Sequence, residues 1–213
     1  MMIKLRYRTH SLSVLLALFM LGVLAGCTTS VEVEGTIPTP LVNTIPANIG
    51  IHYSNEFKTF QYKEVLKDTG TWKINLGKQN LRFFQNLLTT MFNSVEEVPE
   101  PPYELGKMQH LDGVIVPKIL KYEFATPQMT GFDYYATSIL YQILLFDRGG
   151  EVVVDWEIWG YGRADAEIFG AGEAIGSASM TAIRDGGAKI AIGFSSKPAV
   201  KEWLQKIRTR NGN

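Results

Sequence analysis

The residues of this 213-residue chain that could do chemistry are few, and their spacing decides how far each can be taken. Asp155 and Glu157 stand two apart in a β-rich run, which places both carboxylates on one strand face about 7 Å apart. A pair so placed could share acid and base roles. Their alternation with Val154, Trp156 and Ile158 equally describes the wet face of a half-buried strand, and nothing nearby marks a pocket. The run Gly170-Ala171-Gly172-Glu173-Ala174-Ile175-Gly176 matches a glycine-rich dinucleotide loop in outline. That fingerprint needs a buried parallel strand directly before it and a βαβ unit around it. Instead Arg163 to Glu167 is polar, so the glycines are read as a loop leading into a small-residue helix. Ser177 and Ser179 have no base nearby in sequence and do not form a Gly-x-Ser-x-Gly elbow. His52 and His110, without any cysteine after residue 27, make no usual zinc set. No catalytic residue, metal site or cofactor is expected.

Aromatic residues give a different signal. Tyr134, Tyr135, Trp159 and Tyr161 gather at one end of a predicted hairpin, and exposed aromatics commonly anchor protein interfaces. These four are the candidate partner-binding residues. The same residues would also serve as ordinary cross-strand pairs.

Cys27 is the chain's only cysteine, so no intramolecular disulfide can form. Residues 1–10 carry Lys4, Arg6 and Arg8 and no acid, residues 11–23 are uncharged and mostly apolar, and Leu24-Ala25-Gly26 precedes the cysteine. This is the three-part plan of a signal peptide, and the uncharged stretch falls short of the roughly 20 residues that span a bilayer. Leu24-Ala25-Gly26-Cys27 resembles the lipobox of bacterial lipoproteins. The resemblance implies removal of residues 1–26 and attachment of fatty acyl chains, such as palmitate, to Cys27. Two or more chains would hold the protein stably on a membrane. Thr28 stands where enterobacterial lipoproteins retained in the inner membrane carry aspartate, so the resemblance implies the periplasmic face of the outer membrane.

With the three leader cations removed from 21 Lys and Arg, against 21 Asp and Glu, the remainder is mildly acidic. It has no basic stripe of the kind nucleic acid requires.

Residues 27–46 are polar and punctuated by Pro38, Pro40 and Pro46, and read as a lipidated N-terminus and flexible tether. A single domain over 47–213 follows. Strand-like alternation is predicted over 48–53 and 59–66, and an amphipathic helix over 78–92, with Leu81, Phe84, Leu88 and Met91 at spacings of three and four. After a proline loop at Pro99 to Pro102 comes a strand over 113–124, where Pro117 implies an edge or a bulge. Strands 135–146 and 151–161 are joined by Asp147-Arg148-Gly149-Gly150, with Val152, Val154, Trp156 and Ile158 on the buried face. A helix over 173–183 is predicted to break near Gly186-Gly187, and a last helix carries Val200, Trp203, Leu204 and Ile207. Lys197, Lys201, Lys206, Arg208 and Arg210 make this end basic.

The order predicts an α+β fold, a largely antiparallel sheet with helices packed on one face. Lipobox, first strand, the 81–92 helix, the 111–124 strand, the glycine hairpin and the terminal helix together resemble the YajG-type outer-membrane lipoproteins. The resemblance implies a lipid-anchored, non-enzymatic accessory of the cell envelope with an envelope protein as partner. A carrier of a lipid or other amphiphile, with a cavity lined by Phe84, Leu88 and Trp156, is the alternative. An envelope hydrolase is the third reading.

Cys27→Ser should abolish lipid attachment and leave an uncleaved precursor, read by mass and by detergent-phase partitioning of fractionated cells. A cleaved, detergent-phase product of unchanged mass would show that Cys27 is not the anchor.

Overall fold

The computed structural model describes residues 28–99, 110–166 and 170–211. The leader, Cys27 and most of the proline loop lie outside them. Among the described residues are eight strands and five helices: β1 (Thr28–Glu32), β2 (Ile45–Ile51), α1 (Asn55–Lys58), β3 (Gln61–Leu66), β4 (Gly70–Asn75), α2 (Gly77–Met91), β5 (Phe92–Glu97), β6 (Gly113–Ala125), α3 (Pro127–Thr130), β7 (Tyr134–Asp147), β8 (Val152–Asp165), α4 (Ala171–Gly193) and α5 (Pro198–Asn211). They form a five-stranded sheet ordered β5-β2-β6-β7-β8 and a three-stranded sheet ordered β1-β4-β3.

The fold is α+β as the pattern predicts. Its longest pairings, β6 with β7 and β7 with β8, are antiparallel. Both sheets are mixed, because β2 runs parallel to β5 and β6, and β1 runs parallel to β4.

Alternation builds the large sheet. On β7 the odd residues Tyr135, Ile139, Tyr141, Ile143 and Leu145 are buried against the helices, and the even residues form a half-buried outer face. β6 continues both faces, with Tyr122 and Phe124 inward beyond a bulge at Leu120. Pro117 fits for a specific reason. Ile115 C=O accepts from His52 N at 3.0 Å, so the missing N–H of Pro117 falls on the same side, beyond Ile51↔Ile115, where the β2–β6 pairing ends. The hairpin turn is held by Asp147, whose carboxylate accepts from Gly149 N (2.8 Å) and Glu151 N (3.0 Å), with Gly150 at φ 83°.

The helices cover the inner face. α2 buries Phe83, Phe84, Leu87, Leu88 and Met91, with Leu81 only at the margin. α5 buries Val200, Trp203, Leu204 and Ile207, as its spacing predicts. Its tie to the sheet is Asp112, whose carboxylate accepts from Asn48 N (2.8 Å) and pairs with Arg210, while its carbonyl accepts from the Trp203 indole at 3.2 Å.

Four features differ from the sequence reading. Val152, expected on the buried face, is 55% exposed, because a register shift beside Leu145 and Phe146 sets it opposite Phe146 on the outer face. Residues 28–32 are strand β1 rather than coil, with Val31 and the following Val33 buried. β4 and β5 form where no strand was assigned. α4 runs unbroken for 23 residues through Gly186-Gly187, because both glycines meet aromatic rings: a Cβ on Gly187 would lie 2.2 Å from the Phe83 ring, and one on Gly186 would lie 2.9 Å from Tyr141.

α4 also lies close upon β8. A Cβ on Gly160 would fall 2.2 Å from Ala182 O, and one on Gly162 would fall 2.0 Å from Ala178 O. The small sheet packs on the other side of α4, where Val31 meets Gly172 and Gly176, and its Tyr62 and Trp72 rings meet Tyr122 and Phe124 of β6. One contiguous apolar cluster thus includes residues of both sheets.

Gly162→Ala should cost about 2 to 3 kcal/mol in urea unfolding, since backbone must move to admit the methyl. Gly172→Ala meets only Val31 and Thr29 methyls at 3.7 and 3.8 Å. It should be neutral or stabilising by up to about 1 kcal/mol through helix propensity.

Candidate functional site

Among the described residues α2, α4 and α5 pack on the inner face of the large sheet. On its outer face Val114 and Val116 pack with Val98 and Leu111 at one end, and the rest carries side chains outward. The even residues of β7 and the odd residues of β8 share that face through the register Leu140↔Trp159 and Ser138↔Tyr161. Trp159 and Tyr161, two apart on β8, hold their rings 6.0 Å apart and 15° from parallel. Toward the β6–β7 connection, Phe132 stacks on Tyr134 at 5.5 Å and 5°. Cations flank these rings: Lys121 Nζ is 6.0 Å from the Trp159 centroid, Arg163 is 5.8 Å from Tyr134, and Lys189 Nζ is 5.0 Å from Tyr161. Such distances fall within the range where the ring quadrupole attracts a cation. Tyr161 is 56% exposed and Phe132 58%. Lys121 also pairs with Glu123 at 2.6 Å, and that hydrogen bond holds the Glu123 carboxyl below its ordinary range.

α4 reaches the same place from the edge. Asp185 accepts from the backbone N of Tyr161 at 2.9 Å, and Lys189 Nζ donates to Trp159 O at 2.8 Å and to Asp185 at 2.6 Å. The backbone carrying the two rings is therefore fixed by side chains one helical turn apart.

Of the four residues singled out by sequence, Trp159, Tyr161 and Tyr134 belong to this outer array. Tyr135 does not. It is 7% exposed on the inner face, because adjacent residues of a strand point to opposite faces. Phe132 joins instead; its pairing with Tyr134 across Asp133 was the signal available in sequence. Cys27 lies outside the described residues.

The other candidates do not converge. Asp155 bonds Gln142 at 2.8 Å on the outer face, beside an exposed Glu157. His110 pairs with Glu96 at 2.8 Å, and His52 Nδ1 lies 3.2 Å from Val98 O. Ser179 is buried, sharing a hydrogen bond with Tyr122 OH at 2.8 Å and donating to Ile175 O at 2.7 Å. The glycine-rich run is the N-terminal turn of α4, entered from the antiparallel edge strand β8. Phe84 and Leu88 are packed core, Phe84 against Phe57 and Tyr141, while Trp156 lies half-buried over Gly193 beneath Lys197. The volume a carried lipid would need at Phe84 and Leu88 is filled by side chains. An open groove of about 640 Å³ between β1 and α4 carries Glu32, Glu34, Glu173 and Arg184, but Arg184 is already engaged, donating to Thr36 O at 2.7 Å. Among the described residues no group of three or more His, Asp or Glu is placed to hold a metal.

The groups whose pKa moves most are phenols. Burial pushes Tyr53, Tyr122 and Tyr141 up, and Tyr62 is raised to about 12 by burial and by its bond to Glu64. They serve packing, with Tyr141 OH donating to the buried Asn80 at 2.5 Å.

No family model matches the sequence, and no curated protein matches it. Among solved structures the chain is similar to a Xanthomonas campestris protein of the DUF330 family, at 10% identity and TM-score 0.49, over 88% of this chain and 100% of that one. It is also similar to a neuraminyllactose-binding hemagglutinin homologue from Helicobacter pylori, at 11% identity and TM-score 0.47, over 84% and 100%. A lipoprotein from Neisseria meningitidis is similar at 12% identity and TM-score 0.32, over 61% and 90%. At this distance the likeness is one of backbone path and transfers no function. Among the described residues no helix is long and apolar enough to cross a membrane.

The tyrosines set an alkaline limit. A phenol whose folded pKa is raised contributes stability that is fully present below its unfolded value of about 10 and is lost as pH rises through the folded value. Stability should hold up to about pH 10 and fall between there and pH 12, where Tyr62 titrates. Tyr62→Phe should shift the fall to higher pH in melts followed by circular dichroism.

Proposed function

We propose that the chain is a lipid-anchored protein of the bacterial envelope that works by binding, without catalysis. Cys27 carries the acyl chains on the periplasmic face of the outer membrane, and the outer face of the large sheet receives an envelope protein. The observation that supports this reading best is the array of Tyr134, Trp159 and Tyr161 on the outer face of the large sheet. Core packing does not require large rings there. Rigid aromatic side chains lose little conformational freedom on binding and bury large area. Lys121, Arg163 and Glu123 supply charge beside them, which orients an encounter and excludes mismatched partners. The partner would be an accessory or assembly component of the same envelope.

Trp159→Ala and Tyr161→Ala should each weaken recovery of the partner from solubilised membranes by about 1 to 2 kcal/mol, while urea unfolding changes little because neither ring is core. Ile158→Ala, on the opposite face of the same strand and 4% exposed, should lower stability by about 2 to 5 kcal/mol. Outer-face variants that unfold normally and retain every partner would remove this face as the interface.

A further inference from the structure

β1 begins at Thr28, the residue bonded to Cys27. The strand is pinned: Val31 and Val33 are buried, and Val33 N donates to Asn75 O at 3.2 Å. Only one peptide unit, about 3.8 Å between Cα atoms, separates the start of the fold from the anchoring residue. The end of the molecule that holds Thr28 can be traced by its pairings. Thr28 lies beside Thr71, which lies beside Val65 of β3. Trp72 sets its ring 5.3 Å from Phe124, one residue before β6 ends. From there the β6–β7 connection carries α3 and Phe132, and Ala166 N reaches Asp133 O at 3.1 Å. α4 starts at the same end, Gly172 facing Thr29. Three large apolar side chains are left open at this end: Val65 at 70% exposure, Met129 at 54% and Phe132 at 58%.

Resting on the anchor reading above, we infer that this end of the domain, through Val65, Met129 and Phe132, lies in the headgroup layer of the bilayer that holds Cys27. The anchor leaves no slack for the domain to stand off, so the side chains nearest Thr28 share the depth of the first residue. Apolar and aromatic groups are favoured at that boundary, where they exchange water for the edge of the acyl layer. The opposite end, with the hairpin turn and the end of α4, faces away into the periplasm, and Val152 and Ile192 are exposed there. The outer sheet face then stands upright from the membrane.

The full chain offers a direct test, since acylation of Cys27 leaves no other thiol. Val65→Cys, Met129→Cys, Phe132→Cys, Val152→Cys and Ile192→Cys are each processed in a bacterial host, checked by thermal melting, labelled with a polarity-sensitive fluorophore and reconstituted in phosphatidylethanolamine–phosphatidylglycerol vesicles. Nitroxide-headgroup lipid should quench labels at 65, 129 and 132 several-fold more than labels at 152 and 192. Equal quenching at both ends, in protein that is acylated and floats with the vesicles, would overturn the membrane contact and leave the anchor standing. Protein without acyl mass on Cys27 that fails to float would overturn the anchor and this inference together.

Discussion

The approach of α4 to β8 is the contact on which the remaining layers are built. Helix and strand meet backbone to backbone at Gly160 and Gly162, where any side chain would collide with the carbonyls of Ala182 and Ala178. A helix seated so low over the edge of a sheet can bury its Ala and Gly face fully, and α4 does so from Ala174 to Ile190. Its opposite side then stays within reach of a second sheet. Val31 packs on Gly172 and Gly176, Phe83 on Gly187, Tyr141 on Gly186 and Trp156 on Gly193. Large residues on the surrounding elements are matched by absent side chains on the helix, which is how close packing is reached with a helix of modest hydrophobicity. Each mid-helix glycine costs about 1 kcal/mol of helix propensity relative to alanine. The aromatic contacts it admits offset that cost.

Polar contacts fix the arrangement that the apolar ones fill. Tyr141 with Asn80 joins β7 to α2, Tyr122 with Ser179 joins β6 to α4, and Gln79 with Gly35 O at 3.0 Å holds the strand-to-strand connection onto α2. All of these side chains are buried. A slip in the seating of either helix would leave an uncompensated hydroxyl or amide in the core, at about 1 to 3 kcal/mol apiece. Burial of the phenols raises their pKa for the same reason, because ionisation there would place charge where no water can follow. These perturbed groups belong to the packing, and the aromatic face on the other side of the sheet is free of such constraints.

The long elements were legible because their period and their burial agree. α2, α5 and the β7–β8 hairpin each carry an apolar stripe or alternation that the fold uses, and the proline of β6 marks the end of its neighbour. Short strands were harder. β1 contributes Val31, followed by Val33, to the core, and the alternation Val31-Glu32-Val33-Glu34 was present but outweighed by the prolines beyond it. β4 likewise alternates Trp72 and Ile74 with Thr71 and Lys73 after a turn at Gly70. The unbroken α4 could not be read, since glycines that admit Phe83 and Tyr141 look the same in sequence as glycines that end a helix. That Trp159, Tyr161 and Tyr134 share one outer face is legible from their clustering in the sequence. Tyr135 failed on parity, and a count along the strand from Tyr141 would have placed it inward.

The pair Asp185 and Lys189 also governs how β8 meets other chains. β8 is a 14-residue edge strand, long enough to template another chain's backbone. Its outward amide at Tyr161 and carbonyl at Trp159 are already taken by the two side chains, so a β-strand from a neighbour would find its ladder interrupted midway and a charged couple in its path. Edges guarded in this manner resist uncontrolled sheet extension and the fibrous association that follows from it. The same guard lets the large rings on this strand stand in water without the strand beneath them becoming an aggregation site.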